Sequence, residues 1–218
     1  MKIKIYPSLI SSNLLNLENT ITQLSPFCDG FHLDVMDNHF VPNLTVGFDL
    51  INQIATFTNK QLSVHLMVEQ LLTVIERLKI GAKSIVAVHV ETTITDTLLE
   101  TIKKQNWLIS IAINPDTPLE KVYPWTYKVD QILLMSVMPG FSGQQFIPES
   151  IERLKKLAAY KKEHALHFDI AMDGGITKHI IAQLSFLGCN SFCVASAIFN
   201  MDDPVAALKG LYEIDSKI

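Results

Sequence analysis

The feature that most constrains the fold is a regular alternation of short apolar segments with amphipathic segments along the whole chain. Apolar, β-branched runs indicate buried strands, whereas apolar residues at i, i+3 and i+4 indicate helices that bury one face. The predicted strands are residues 3–9, 30–36, 62–67, 84–89, 108–113, 131–137, 167–173 and 191–195. The predicted helices are residues 14–24, 48–57, 71–80, 94–105, 119–123, 147–164, 177–187 and 204–212.

The predicted strands are apolar along most of their length, as in SIVAVHV (84–90) and ILLMSV (132–137). Such strands are expected where helices cover a parallel sheet. Glycines 81 and 188 are predicted to end two helices, and the Asp203-Pro204 pair to start another. Eight consecutive βα units predict an α/β fold of the (β/α)8 TIM-barrel type. A doubly wound open sheet is the structural alternative.

Length and composition narrow the class of protein. A chain of 218 residues with 48% hydrophobic residues can bury one large core, so a single domain over residues 1–218 is expected. The net charge of −4 and the lack of a basic block disfavour nucleic-acid binding. We find neither a signal peptide nor a membrane-length apolar run, so a cytoplasmic protein is expected. The three cysteines are expected to be buried thiols.

Histidine and aspartate side chains gather where predicted strands end. His32 and Asp34 lie two residues apart in HLDVMD and therefore share one face of a strand, while His65 and Asp173 end two other strands. Two imidazoles and two carboxylates together are typical of a metal-assisted proton-transfer site. A purely structural cluster is less favoured because unpaired buried charge costs several kcal/mol. The donor set suits Zn, Fe(II), Mn or Co alike. His89 also ends a strand but is left outside the predicted site.

Methionines and glycines complete the candidate site. Met36, Met67 and Met135 lie near strand ends, although by residue type alone they are ordinary core residues. The glycine-bearing turns PGFSGQQF (139–146) and DGGI (173–176) are weak signals individually. However, the loops after strands seven and eight of such barrels often bind phosphate. Without a P-loop, a sugar phosphate is a better prediction than a nucleotide.

Seven segments in order resemble the ribulose-phosphate 3-epimerase family. They are PSLISSN (7–13), HLDVMDNHFVPNLT (32–45), HLMV (65–68), NPDTP (114–118), LLMSVMPGFSGQQFIP (133–148), MDGGI (172–176) and SAIF (196–199). The resemblance implies a TIM barrel of the ribulose-phosphate-binding type that interconverts D-ribulose 5-phosphate and D-xylulose 5-phosphate in the pentose phosphate pathway. It also implies one divalent metal ion per subunit and a homo-oligomer, either a dimer or a hexamer.

The resemblance also implies residue roles. His32, Asp34, His65 and Asp173 would bind the metal, and Asp34 and Asp173 would be the acid/base pair. The methionines would cap the reacting carbons, the 140–143 loop would close over the substrate, and the 174–175 and 195–196 turns would hold the phosphate. The full set of implied substrate-binding residues is Ser8, His65, Met36, Met67, Met135, Gly140, Phe141, Ser142, Gly143, Gly174, Gly175, Ala195 and Ser196.

Several positions depart from the family pattern. Ala195 stands where glycine is usual, Ser142 replaces a loop glycine, and Met138 takes a position that is more often polar. These departures bear on substrate fit and loop closure and leave the implied ligands intact. Two alternatives stay open from the sequence: a sibling 3-epimerase of D-allulose 6-phosphate, and a non-catalytic barrel that binds sugar phosphate.

Overall fold

Eight parallel strands form one sheet in the computed structural model, which describes residues 2–213. From β2 to β8 each strand pairs with the next one in the chain, and β1 pairs with β8. The strands are β1 Lys4–Pro7, β2 Gly30–Met36, β3 Gln61–Met67, β4 Ile85–His89, β5 Leu108–Ile113, β6 Gln131–Met135, β7 Asp169–Asp173 and β8 Ser191–Val194. The predicted (β/α)8 barrel is confirmed, and the open-sheet alternative is wrong.

The barrel closes between β1 and β2 through a few contacts beside the regular strands. Ser8 forms a parallel bridge with His32, and the Asp29 N–H donates to the Ile5 carbonyl over 3.2 Å. The Asp29 carboxylate in turn accepts from the Ile5 N–H. The closure therefore brings Ser8 beside the polar face of β2.

Helices cover the outside of the barrel. They are α1 Leu17–Leu24, α2 Phe48–Phe57, α3 Leu71–Ile75, α4 Asp96–Lys104, α5 Ser150–Glu163, α6 Lys178–Phe186, α7 Ser196–Phe199 and α8 Pro204–Tyr212. The Asp203 side chain caps α8, and Gly188 follows α6 with a φ of 102°, both as predicted. Within residues 2–213, none of the helices is both long and apolar enough to cross a lipid bilayer.

The predicted helix over residues 71–80 is too long, and Gly81 does not end it. The helix α3 stops at Ile75, because the Asn52 side chain accepts from the Lys79 N–H and donates to the Arg77 carbonyl. These two bonds hold residues 77–79 away from a helical path.

Other element boundaries also differ from the prediction. The predicted helix over residues 119–123 is a pair of 3-10 turns, Leu119–Lys121 and Tyr123–Trp125, since Pro124 has no N–H for a continuing helix. The first strand ends at Pro7, and Leu9–Ser11 forms a 3-10 turn. SAIF forms the short helix α7, which was not predicted.

Alternate strand residues separate two packing layers. Leu33 and Val35 point outward into the large core between sheet and helices. A smaller inner cluster is built from Ala87, Ala112, Leu133, Met135, Ala171 and Cys193. Three of these inner residues are alanines, so the barrel interior has room for polar side chains from β2, β3 and β4. All three cysteines are buried free thiols, as predicted.

Candidate active site

Four predicted ligands meet at the carboxyl end of the barrel. His32 and Asp34 come from β2, His65 from β3 and Asp173 from the end of β7. One ligand atom from each of the four lies within 4.8 Å of the others. Both histidines are fully buried, whereas Asp34 and Asp173 are 8% and 16% exposed. The cluster therefore sits beneath the surface, with its carboxylates nearer to solvent.

The spacing of the ligand atoms fits a small divalent cation. His32 Nε2 lies 3.2 Å from Asp34 Oδ1 and 3.6 Å from Asp173 Oδ2, and the corresponding distances from His65 Nδ1 are 3.2 and 3.7 Å. Ligands about 2.1 Å from a tetrahedral cation are separated by about 3.4 Å. The four side chains could therefore hold such an ion with little movement.

The two carboxylates are positioned through their own backbones. The Thr45 hydroxyl donates to the Asp34 carbonyl over 2.6 Å, and the Ser136 N–H donates to the Asp173 carbonyl over 2.8 Å. The Ser8 hydroxyl also donates to Asp34 Oδ2 over 2.6 Å. Ser8 is buried, so this bond is shielded from solvent. The orientation of Asp34 is thus set at its backbone and at its carboxylate.

Electrostatics in the cluster favour a negative Asp34. Burial alone would raise the pKa of Asp34, but the charge and hydrogen bond of His32 hold it well below its usual range. For His32, burial acts to lower the pKa, whereas Cys193, Asp34 and Asp173 raise it well above its usual value. The cluster therefore favours a positive charge beside Asp34, which a divalent cation would supply.

His89 and Glu91 extend the cluster on the side of β4. His89 Nε2 lies 2.8 Å from His65 Nε2, and His89 Nδ1 lies 3.0 Å from Glu91 Oε2. Burial, helped by the nearby His65, lowers the pKa of His89 to about 4 despite the hydrogen bond to Glu91, so His89 is neutral at pH 7. Burial would raise the pKa of Glu91, but hydrogen bonds from His89, Thr117 and the Asn114 amide lower it.

A cavity at the mouth of the barrel lies over the two carboxylates. Asp34 and Asp173 both line it, and so does every predicted substrate-binding residue except His65, which lies beneath it. These lining residues are Ser8, Met36, Met67, Met135, Gly140, Phe141, Ser142, Gly143, Gly174, Gly175, Ala195 and Ser196. Met36 and Met67 are register partners on β2 and β3. The structure thus brings together residues that are far apart in the chain.

Comparison with known proteins identifies the family. The sequence model of the Ribulose-phosphate 3 epimerase family matches residues 4–199. The ribulose-phosphate 3-epimerase of Escherichia coli K12 is 34% identical over 202 residues, which cover 91% of this chain and 90% of that protein. The chain belongs to the ribulose-phosphate 3-epimerase family. The cytoplasmic isoform of rice is also 34% identical, with 95% of this chain and 92% of that protein covered. Homologues with this name support an enzyme of the same type.

Solved structures agree with the fold. The 3-hexulose-6-phosphate synthase of Salmonella typhimurium superposes with a TM-score of 0.70 at 16% identity, covering 97% of this chain and 98% of that one. KGPDC from Streptococcus mutans has a TM-score of 0.69 at 14% identity, with 97% of this chain and 96% of that one covered. These two structures therefore share the closed parallel β-barrel of this epimerase-family chain.

The Gly174-Gly175 turn lines the epimerase cavity with glycine backbone. Gly174 and Gly175 have φ values of 108° and 65°, which favour glycine. A Cβ on Gly175 would collide with the backbone N of Phe146, and one on Gly174 with the Val137 side chain. Among the bonds of residues 2–213, none uses either glycine N–H as a donor. Ala195 has a φ of −109°, so this position does not need the left-handed conformation that favours glycine.

Replacing Gly175 by alanine is expected to lower the free energy of unfolding by about 1–3 kcal/mol and to raise KM for a phosphorylated substrate. The positive φ and the collision with Phe146 both force the turn to move. Urea unfolding and steady-state kinetics measure the two effects. Gly81→Ala is the matched control, because its added Cβ would meet no atom within 4 Å. Unchanged stability and KM in Gly175→Ala would contradict the predicted phosphate-binding role of this turn.

Sequence reasoning missed His89 and Glu91. The prediction left His89 outside the site, yet it contacts the predicted ligand His65 directly. A signal was available, because Glu91 follows His89 at the same i, i+2 spacing that relates His32 to Asp34. Cys193 was also predicted only as a buried thiol, although it lines the cavity and its Sγ lies 3.2 Å from His32 Nδ1.

Proposed function

We propose that this enzyme interconverts D-ribulose 5-phosphate and D-xylulose 5-phosphate by moving a proton at C3, with a divalent cation in the His32, Asp34, His65 and Asp173 cluster. The observation that carries the proposal is the meeting of two carboxylates and two imidazoles under a cavity lined by glycine turns. Family membership and the names of the relatives support the same reaction. Assembly into a homo-oligomer stays a prediction for this chain.

The two carboxylates would act as the acid/base pair. Epimerisation next to a carbonyl removes a weakly acidic proton from one face of the carbon and returns a proton to the other face. Asp34 and Asp173 would serve the two faces, one ionised while the other is protonated. Ser8 stabilises the ionised form of Asp34 by donating to Oδ2. When bound, a divalent cation supplies Lewis-acid stabilisation of the negative charge that develops on the substrate oxygens. The metal could be Zn, Fe(II), Mn or Co.

The methionines would protect the reacting carbon. Met36, Met67 and Met135 are buried and line the cavity beside Asp34 and Asp173. A thioether is polarizable but carries no exchangeable proton, so it cannot reprotonate an intermediate from the wrong face. Three such side chains would also displace water from the cavity, which strengthens the electrostatic interactions there.

The rest of the cavity would bind the phosphate and close over it. Free N–H groups of Gly174 and Gly175 are suitable donors to phosphate oxygens, and the adjoining Ala195-Ser196 turn lines the same cavity. In the 140–143 loop, the Gly140 carbonyl accepts from the Asn43 side chain over 2.6 Å. This bond would hold the 140–143 loop near the substrate, so that Phe141 and Ser142 cover it.

A coupled assay on two substrates tests the proposal. With metal-loaded protein, kcat/KM for D-ribulose 5-phosphate is expected to exceed that for D-allulose 6-phosphate by about 10- to 200-fold, because a pocket that fits five carbons must rearrange for a sixth. Protein loaded with Zn²⁺, Mn²⁺, Co²⁺ or Fe²⁺ identifies the working metal. Preference for the six-carbon substrate would overturn the substrate assignment, and lack of turnover on either would indicate a non-catalytic barrel.

A further inference from the structure

A chain of three side chains leads away from the predicted metal cluster. His89 ends β4 and is fully buried, and its ring stacks on His65 with centroids 4.9 Å apart and planes inclined by 22°. The contact joins the Nε2 atoms of the two rings at 2.8 Å. Beyond His89, Glu91 Oε2 lies 3.0 Å from His89 Nδ1. The Glu91 side chain is only 19% exposed.

The direction of these hydrogen bonds follows from the chemistry of the groups. An ionised carboxylate only accepts, so His89 Nδ1 must donate to Glu91. A neutral imidazole has one N–H, which leaves His89 Nε2 as an acceptor. The 2.8 Å contact is then a hydrogen bond only if the proton is on His65 Nε2. In a neutral His65 ring this single N–H leaves a lone pair on Nδ1.

This lone pair points into the cluster. His65 Nδ1 lies 3.2 Å from Asp34 Oδ1 and 3.7 Å from Asp173 Oδ2, so three electron-rich atoms face one another. Such an arrangement is repulsive unless a cation lies between them. The opposite tautomer of His65 would donate its Nδ1–H to Asp34 Oδ1 and so obstruct a cation at that point. The tautomer of His65 therefore matters to metal binding.

We propose that Glu91 and His89 are positioning residues that fix the tautomer and ring orientation of His65, so that its Nδ1 lone pair is presented to a divalent cation. The inference rests on the metal site of the proposed function, but the tautomer can be measured without metal. A metal-binding histidine commonly has its other ring nitrogen held by such a partner. Here the partner is a second histidine, and the carboxylate stands one step further away.

Glu91, the residue of the three that is farthest from the metal cluster, is held by the loop after β5. The Asn114 N–H donates to Glu91 Oε1 over 2.8 Å. Arg153 on α5 donates to the carbonyls of Thr117 and Asn114 over 2.7 and 3.0 Å, which fixes this loop. One Glu91 oxygen is thus committed to a backbone donor and the other to His89. The network fixes which atom of residue 91 faces His89.

The Glu91→Gln variant tests this arrangement because it should reverse the direction of the hydrogen bonds from residue 91 through His89 to His65. Since the Asn114 N–H needs an acceptor, the glutamine oxygen should face it, and the amide NH₂ should then face His89 Nδ1. His89 would become protonated on Nε2, and His65 on Nδ1. ¹⁵N NMR of the ring nitrogens in metal-free protein should show His65 as the Nε2–H tautomer in the wild type and as Nδ1–H in Glu91→Gln. Competition with a chelator should show Zn²⁺ affinity about 10- to 100-fold weaker in the variant.

Two substitutions of His89 separate a positioning role from simple packing. His89→Gln offers an amide oxygen to His65 Nε2–H and should keep Zn²⁺ affinity within a few fold of the wild type. His89→Leu fills similar space without an acceptor and should lose affinity as Glu91→Gln does. Glu152→Gln, on the exposed face of α5, is the charge-matched control and should change neither readout.

Two results would overturn the inference. One is a wild-type His65 that carries its proton on Nδ1 in the metal-free protein, a measurement that needs no variant to fold. The other is wild-type Zn²⁺ affinity in both Glu91→Gln and His89→Leu. If the wild type bound no Zn²⁺, the proposed metal site would be refuted separately, and the tautomer measurement alone would decide this inference.

Discussion

Replacing Asp173 by asparagine is expected to lower kcat for epimerisation by at least about 10³-fold while the barrel stays folded. Asparagine has the same shape as aspartate but cannot take or give a proton at C3. Asp173 is part of the four-residue cluster and is the more exposed of its two carboxylates, so it faces the cavity where a substrate must bind. The same reasoning predicts a comparable loss for Asp34→Asn.

Metal content must be measured beside kcat, because Asp173 is also a predicted ligand. Loss of turnover in variant protein that still holds one cation per chain assigns the acid/base role directly. Asp169→Asn is a suitable control, since Asp169 begins the strand that Asp173 ends and pairs with Lys4 at the opposite end of the barrel. That variant should keep its activity. A kcat within about tenfold of the wild type in Asp173→Asn would contradict the acid/base assignment.

The fold and the position of the site could be predicted because both follow from local patterns. Alternating strand and helix segments imply parallel pairing of successive strands, and the i, i+2 spacing of His32 and Asp34 places both on the inner face of β2. The register then sets Asp34 opposite His65, as a site at the strand ends requires. These features depend on the order of the segments and on which alternate residues share a strand face, and both can be read from the sequence.

Features that depend on tertiary contacts could not be predicted. The end of α3 is set by Asn52, a side chain of α2 whose partners lie about 25 residues further along the chain. The contact of His89 with His65 depends on the stagger between β3 and β4, which pairs His65 with Ala87 and so places His89 beside the ring. Residue spacing within one strand carries no information about that stagger.

Removing the cation is expected to abolish epimerisation, and adding the cation back is expected to restore it. Without a cation, the negative charge that develops on the substrate oxygens loses its main stabilisation, and rates should fall by about 10³-fold or more. The protein should also unfold more readily, because a ligand that binds only the folded state stabilises it by an amount that grows with the logarithm of the ligand concentration. The four ligands belong to strands β2, β3 and β7, which are held by their own pairing in the sheet. The barrel itself should therefore remain folded without the cation.

The most direct test of the account follows activity against bound metal in chelated protein titrated with Co²⁺. Activity should rise in proportion to the cobalt bound and stop rising at one equivalent per chain, as a single four-residue site requires. His32→Ala, which removes one ligand, should need a far higher Co²⁺ concentration to bind one equivalent per chain. Full activity in protein that contains no bound cation would contradict a metal-assisted epimerase.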